Sequence, residues 1–115
     1  MVAFIRIEIA IMALTRDFKE TVAKRAEEDP NFKLALLQNA INEFLNGDLD
    51  IAKILLRDYI NACPRFDRVA KEMDKNPKSI QRMLSPKGNP TAESLTSLLK
   101  AVQKLEGVTF EAKRK

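Results

Sequence analysis

The sequence predicts an all-α domain with a candidate short strand at each end. Three observations predict it. Apolar residues recur at three- and four-residue spacing through most of the 115 residues. Breaking and capping residues at 29–31, 46–48, 63–64 and 85–90 divide the chain into helix-length pieces. One Tyr, six Phe and no Trp are thin for an all-β protein.

The elements follow in chain order, within one domain. Residues 1–14 read as an N-terminal extension, where Ile5, Ile7, Ile9 and Ile11 alternate with polar or small residues as in a half-buried strand. Residues 15–46 read as a helix pair. Thr15 is the expected N-cap of the first helix, which carries Phe18, Val22 and Ala26 and stops at Asp29-Pro30-Asn31. The second has an expected apolar stripe of Leu34, Leu37, Ile41, Phe44 and Leu45. Gly47 suits a left-handed helix end, and Asp48 suits the next N-cap.

Residues 48–107 hold four more helices. The first runs from about Leu49 to Ala62 with Ile51, Ile54, Leu55, Tyr59 and Ala62 facing inward. A short helix from Arg65 to about Asp74 gathers Phe66, Val69, Ala70 and Met73 on one side. Another begins with Asn76 as cap and Pro77 as first helical residue, and ends before the loop 85–90. The last starts near Thr91, buries Leu95, Leu98, Leu99, Val102 and Leu105, and closes at Gly107. Val108 to Phe110 reads as a second short strand, and residues 111–115 as a polar tail.

Composition excludes several chemistries. With no His and a single Cys, the chain alone builds no His-dependent nucleophile, none of the common zinc sites and no internal disulfide. No paired-carboxylate or glycine-rich phosphate motif is present, so no enzyme activity and no cofactor or metal are expected. The apolar start is interrupted by Arg6 and Glu8, so neither a signal peptide nor a membrane span is expected. A lone thiol fits a cytoplasmic protein. Net charge is +4, and the stretch 65–90, with seven basic and three acidic residues, carries all of it. Such an excess suits a surface that meets phosphates, though a solvated helical face shows the same charges.

The two short helices are joined by a turn of about three residues, the spacing of a helix-turn-helix. At ~100° per residue, Ile80, Met83 and Leu84 oppose Lys78, Gln81 and Arg82, with Ser79 on the flank. A recognition helix needs that division between an anchored underside and outward donors. Lys78, Ser79, Gln81 and Arg82 are the candidate base readers. Lys75, Asn76, Lys87, Gly88 and Asn89 are the candidate phosphate contacts. An ordinary amphipathic surface helix would share the pattern.

The stretch from Phe66 to Leu95 resembles the phage-repressor-type (xenobiotic-response-element) helix-turn-helix. Within that group it is most similar to bacterial addiction-module antidote proteins, or antitoxins, and related prophage regulators. The matching residues are Ala70, Ser79, Ile80, Leu84-Ser85 and Gly88-Asn89-Pro90, with Leu36-Leu37, Asn46-Gly47-Asp48 and Leu55 to Ile60 upstream. The resemblance covers roughly Met12 to Val108. Asp74 stands where such proteins often carry Gly. Residues 1–11 lie ahead of the expected family start near Met12. The resemblance implies a phage-repressor-like domain with two extra N-terminal helices. It implies a sequence-specific transcriptional regulator, the antitoxin of a toxin–antitoxin module that represses its own operon. The implied partners are operator DNA, a toxin protein and a second copy of the chain. The alternative is a protein-binding module that neutralises a toxin and keeps the two short helices only as scaffold.

Overall fold

The computed structural model describes residues 20–114 except 22, 23, 26 and 63. Expectations for Ile5 to Ile11, Thr15, Phe18, Val22, Ala26 and Cys63 fall outside these residues. Glu20, Thr21, Lys24, Arg25, Glu27 and Glu28 are helical. The following helices are α1 (Pro30–Leu45), α2 (Leu49–Ala62), α3 (Phe66–Met73), α4 (Pro77–Met83) and α5 (Ala92–Glu106). Among the described residues all regular structure is helical.

Local side chains set most of the boundaries. Asp29 Oδ1 accepts the amides of Asn31 and Phe32 at 3.0 and 3.2 Å, capping α1 from the residue before Pro30. Asp48 Oδ1 accepts the Ile51 amide at 3.2 Å, and Gly47 takes φ +84° between α1 and α2. Asp74 closes α3 at φ 54°, ψ 48°, a left-handed conformation that Asp tolerates better than most side chains. Arg65, ahead of α3, sits at φ 85°, ψ 153°, which is strained for a residue with a Cβ. Thr91 caps α5 and Gly107 ends it at φ 74°.

The turn 46–48 folds α2 back along α1. α2 lies between α1 and the short helices, and its core residues point to more than one side. Leu55, Leu56, Tyr59 and Ile60 are all inaccessible to solvent. They pack with Leu36, Leu37 and Ala40 of α1, Val69 of α3, Ile80 of α4 and Leu98 and Val102 of α5. Polar contacts also tie distant elements. Glu106 accepts from the Tyr59 hydroxyl at 2.9 Å and pairs with Lys33 at 3.3 Å. Lys104 of α5 meets Glu72 of α3 at 2.7 Å.

Two expectations need correction. The buried face of α1 is Leu36, Leu37, Ala40 and Glu43, turned by roughly 90° from the expected stripe. Leu34, Ile41 and Phe44 are only half-buried, and Leu45 is 79% exposed. Small Ala40, fully buried, belongs to the face that meets the core, and this moves the longer apolar side chains off axis. The second correction concerns Val108 to Phe110, which is not a strand. The Val108 amide donates to Gln103 O at 3.1 Å, and the Phe110 amide donates to Gln103 Oε1 at 3.1 Å. The end of α5 supplies the partners that a strand would need, while Val108 and Phe110 pack half-buried on the core.

Candidate nucleic-acid interface

α4 is short and is held by its ends. Asn76 Oδ1 accepts the Lys78 amide at 2.9 Å, and Pro77 fills the first helical position. Ile80 is 1% exposed and Leu84, just past the helix, is buried with it. These two anchors fix the rotation of α4 about its axis. Lys78, Ser79, Gln81 and Arg82 are consequently exposed, as the spacing requires.

The four do not share one surface. Ser79 and Arg82 line a cleft of about 400 Å³, together with Lys75, Lys87, Gly88 and Asn89. Gln81 turns to the other flank. There it borders a smaller groove, about 250 Å³, with Arg57 and Asn61 of α2 and Phe66 of α3. Lys78 falls between Gln81 and Arg82 on the helix wheel. Six of the nine sequence-predicted positions thus meet at the cleft, and Lys78, Gln81 and Asn76 stand beside it.

The charge of the cleft is one-sided. Lys75, Arg82 and Lys87 line it, and no Asp or Glu does among the described residues. Thr91 and Ser94 add hydroxyls from the first turn of α5, whose N-terminal end carries the positive pole of the helix dipole. Thr91 Oγ1 accepts the Ser94 amide at 3.0 Å and donates to Ser94 Oγ at 3.0 Å. Three cations with no carboxylate beside them give this cleft the charge that attracts an anion. Asp74 lies in the turn before α4 but does not line the cleft.

Two of the expected phosphate contacts are engaged within the protein. The Gly88 amide donates to Ser85 O at 2.9 Å, so it is not offered outward. The glycine serves a close approach instead: a Cβ there would lie 2.3 Å from Arg82 O and 2.4 Å from Met83 O. Asn76 spends its side-chain oxygen on the α4 cap.

Sequence reasoning misses Thr91 and Ser94 at the cleft, and it misses Lys53. That lysine is 3% exposed, and its Nζ donates to Gly88 O at 2.7 Å and to Pro86 O at 3.3 Å. Its other neighbour is the exposed Asp50 carboxylate at 3.9 Å. A signal was present: Lys53 falls on the same helical face as Leu49, Leu56 and Ile60, where a lone cation on an apolar stripe requires a partner.

Among the described residues no cluster of His, Cys, Asp or Glu could hold a metal ion, and no helix is long and apolar enough to cross a membrane. Comparisons with protein-family models, with curated proteins and with solved structures gave no match.

Proposed function

We propose that this protein binds double-stranded DNA as a transcriptional regulator, with α3 and α4 as a helix-turn-helix of the phage-repressor type. The observation that carries the reading is the convergence of three cations on the flank of a short helix whose outward face is wholly polar. Arg82 and Ser79 reach the major groove from α4, with Lys78 and Gln81 beside them. Lys75, Lys87 and Asn89 meet the adjoining phosphates. One seven-residue helix reads few base pairs, so selective binding calls for a homodimer on paired half-sites. The resemblance of the stretch 66–95 to antitoxins extends the proposal to an autorepressing antitoxin.

The test is selection of a preferred site from a randomised duplex pool, followed by titration of wild type and Arg82→Ala. Wild type should prefer the selected site, and Arg82→Ala should cost about 1–3 kcal/mol on it. Equal affinity of the two proteins for selected and scrambled duplexes refutes the reading. The antitoxin extension is tested in the cell: co-expression should relieve growth arrest caused by the product of an adjacent gene.

A further inference from the structure

We propose that Lys53 is a positioning residue for the nucleic-acid surface, holding the Pro86–Gly88 turn so that Lys87 stands at the cleft beside Arg82. The inference rests on the reading of the cleft as a DNA-binding surface and deepens it. It starts from the cost of a buried ammonium. A charged amine removed from water must recover its hydrogen bonds from the protein. Lys53, on the middle helix of the core, recovers two from a turn more than thirty residues away: Gly88 O at 2.7 Å and Pro86 O at 3.3 Å. That turn lies between the end of α4 and the cap of α5, and its other bonds are local ones: the Gly88 amide to Ser85 O at 2.9 Å and the Ser85 amide to Arg82 O at 3.2 Å.

The geometry of two carbonyls on one ammonium has a consequence for the residue between them. With Pro86 O and Gly88 O both drawn inward to α2, the side chain of Lys87 is left outside, exposed and lining the cleft. Gly88 supplies the opposing constraint, since the space a Cβ would take there is already filled by the Arg82 and Met83 carbonyls at the end of α4. The turn is therefore clamped between α2 and α4. Lys53 touches no nucleic acid in this scheme. It acts through Lys87 and Asn89, by removing the freedom of the backbone that carries them.

The experiment is a double-mutant cycle on the full chain. Lys53→Met keeps the apolar stem and deletes the ammonium; Lys87→Ala removes the contact it positions; the third variant carries both. Each is titrated by fluorescence anisotropy against a labelled mixed-sequence DNA duplex at two salt concentrations. Lys53→Met should weaken binding about as much as Lys87→Ala, on the order of eightfold per subunit at ~0.1 M salt. It should make the log–log salt slope shallower by about one unit per subunit, and it should add little in the Lys87→Ala background. A merely structural role would lower the melting temperature and leave the salt slope of the folded protein untouched. Should Lys53→Met lose its cooperative melting transition, Lys53→Gln replaces it in the same cycle. Wild-type affinity in the Lys53 variant, or losses that add in full, overturns the positioning role while weakened Lys87→Ala and Arg82→Ala leave the interface standing. If Lys87→Ala and Arg82→Ala also bind like wild type, the interface reading falls and the positioning role falls with it.

Discussion

Gly88→Ala tests the packing of the 85–90 turn against α4. The glycine has an ordinary backbone conformation, so left-handed strain is not the issue. The obstacle is contact with backbone. A Cβ would sit 2.3 Å from Arg82 O, 2.4 Å from Met83 O and 2.8 Å from the Met83 carbonyl carbon. Ordinary contact needs about 3.4 Å, so the turn must retreat by roughly 1 Å from three atoms that cannot rotate away. Overpacking of this kind costs about 1–3 kcal/mol. The retreat also strains the bond between Lys53 Nζ and Gly88 O, now 2.7 Å, and a hydrogen bond to a charged group contributes about 1.5–3 kcal/mol. Since Pro86 O remains within reach at 3.3 Å, part of that is recovered. The expected destabilisation is about 2–4 kcal/mol, read as a lower urea midpoint with unchanged slope. Gly47→Ala is the control, because no atom lies within 4 Å of its added Cβ and only the φ of +84° resists it. It should cost about 1 kcal/mol. Gly88→Ala within about 0.5 kcal/mol of wild type would show that the turn is not clamped.

Arg65→Gly should stabilise the fold by about 1 kcal/mol in urea unfolding, because φ 85°, ψ 153° costs a non-glycine residue more than glycine loses in unfolded-state entropy; a net loss refutes the strain. Leu37→Ala, at a fully buried position, should cost about 2–5 kcal/mol, while Leu45→Ala should stay within about 0.5 kcal/mol; equal costs would contradict the rotation of α1. The hydrogen bond from Lys104 to Glu72, and then their charge attraction, raise the Lys104 pKa above its ordinary value. A raised lysine stabilises below its unfolded pKa and loses that contribution as pH climbs through the folded one. Any melting-temperature gap between wild type and Glu72→Gln should therefore close at strongly alkaline pH, and a gap that widens there refutes the pairing.

What was legible in the sequence was local. Asp29, Asp48, Asn76 and Thr91 each cap a helix through a bond to an amide two or three residues on, so the sequence interval itself carries the signal. Asp74 is left-handed at φ 54°, a conformation that Asp tolerates better than most side chains, so its place at the end of α3 is also a local signal. The polar face of α4 was legible too, because Ile80 and Leu84 leave only one way to bury the helix. The failures depend on which element lies opposite. α1 carries apolar side chains around much of its circumference, and only contact with α2 selects Leu36, Leu37 and Ala40 over Leu45. Val108 and Phe110 alternate like a strand, yet Gln103 takes up their amides. The bonds of Lys53 span 33 and 35 residues, beyond any local pattern.

The same distinction decides how the α4 side chains act together. Helix position groups Gln81 with Arg82, since they are adjacent and both face outward. Tertiary position separates them: Arg82 shares the basic cleft with Lys87, and Gln81 shares a groove with Arg57 and Asn61. On the proposed reading Arg82 enters the groove while Lys87 holds the adjoining phosphate, and two cations that meet a duplex across one cleft couple, because loss of one lets the other and its counterions rearrange, whereas groups on separate flanks act independently. Arg82→Ala combined with Gln81→Ala should therefore sum to within about 0.5 kcal/mol on a selected duplex. Arg82→Ala combined with Lys87→Ala should depart from additivity by more than that, and the departure should shrink as salt rises and screens the cleft. The measurement is two double-mutant cycles by anisotropy at low and high salt. If the coupling appears between Gln81 and Arg82 and not across the cleft, adjacency along α4 governs binding, and the 400 Å³ cleft is not the unit that meets the duplex.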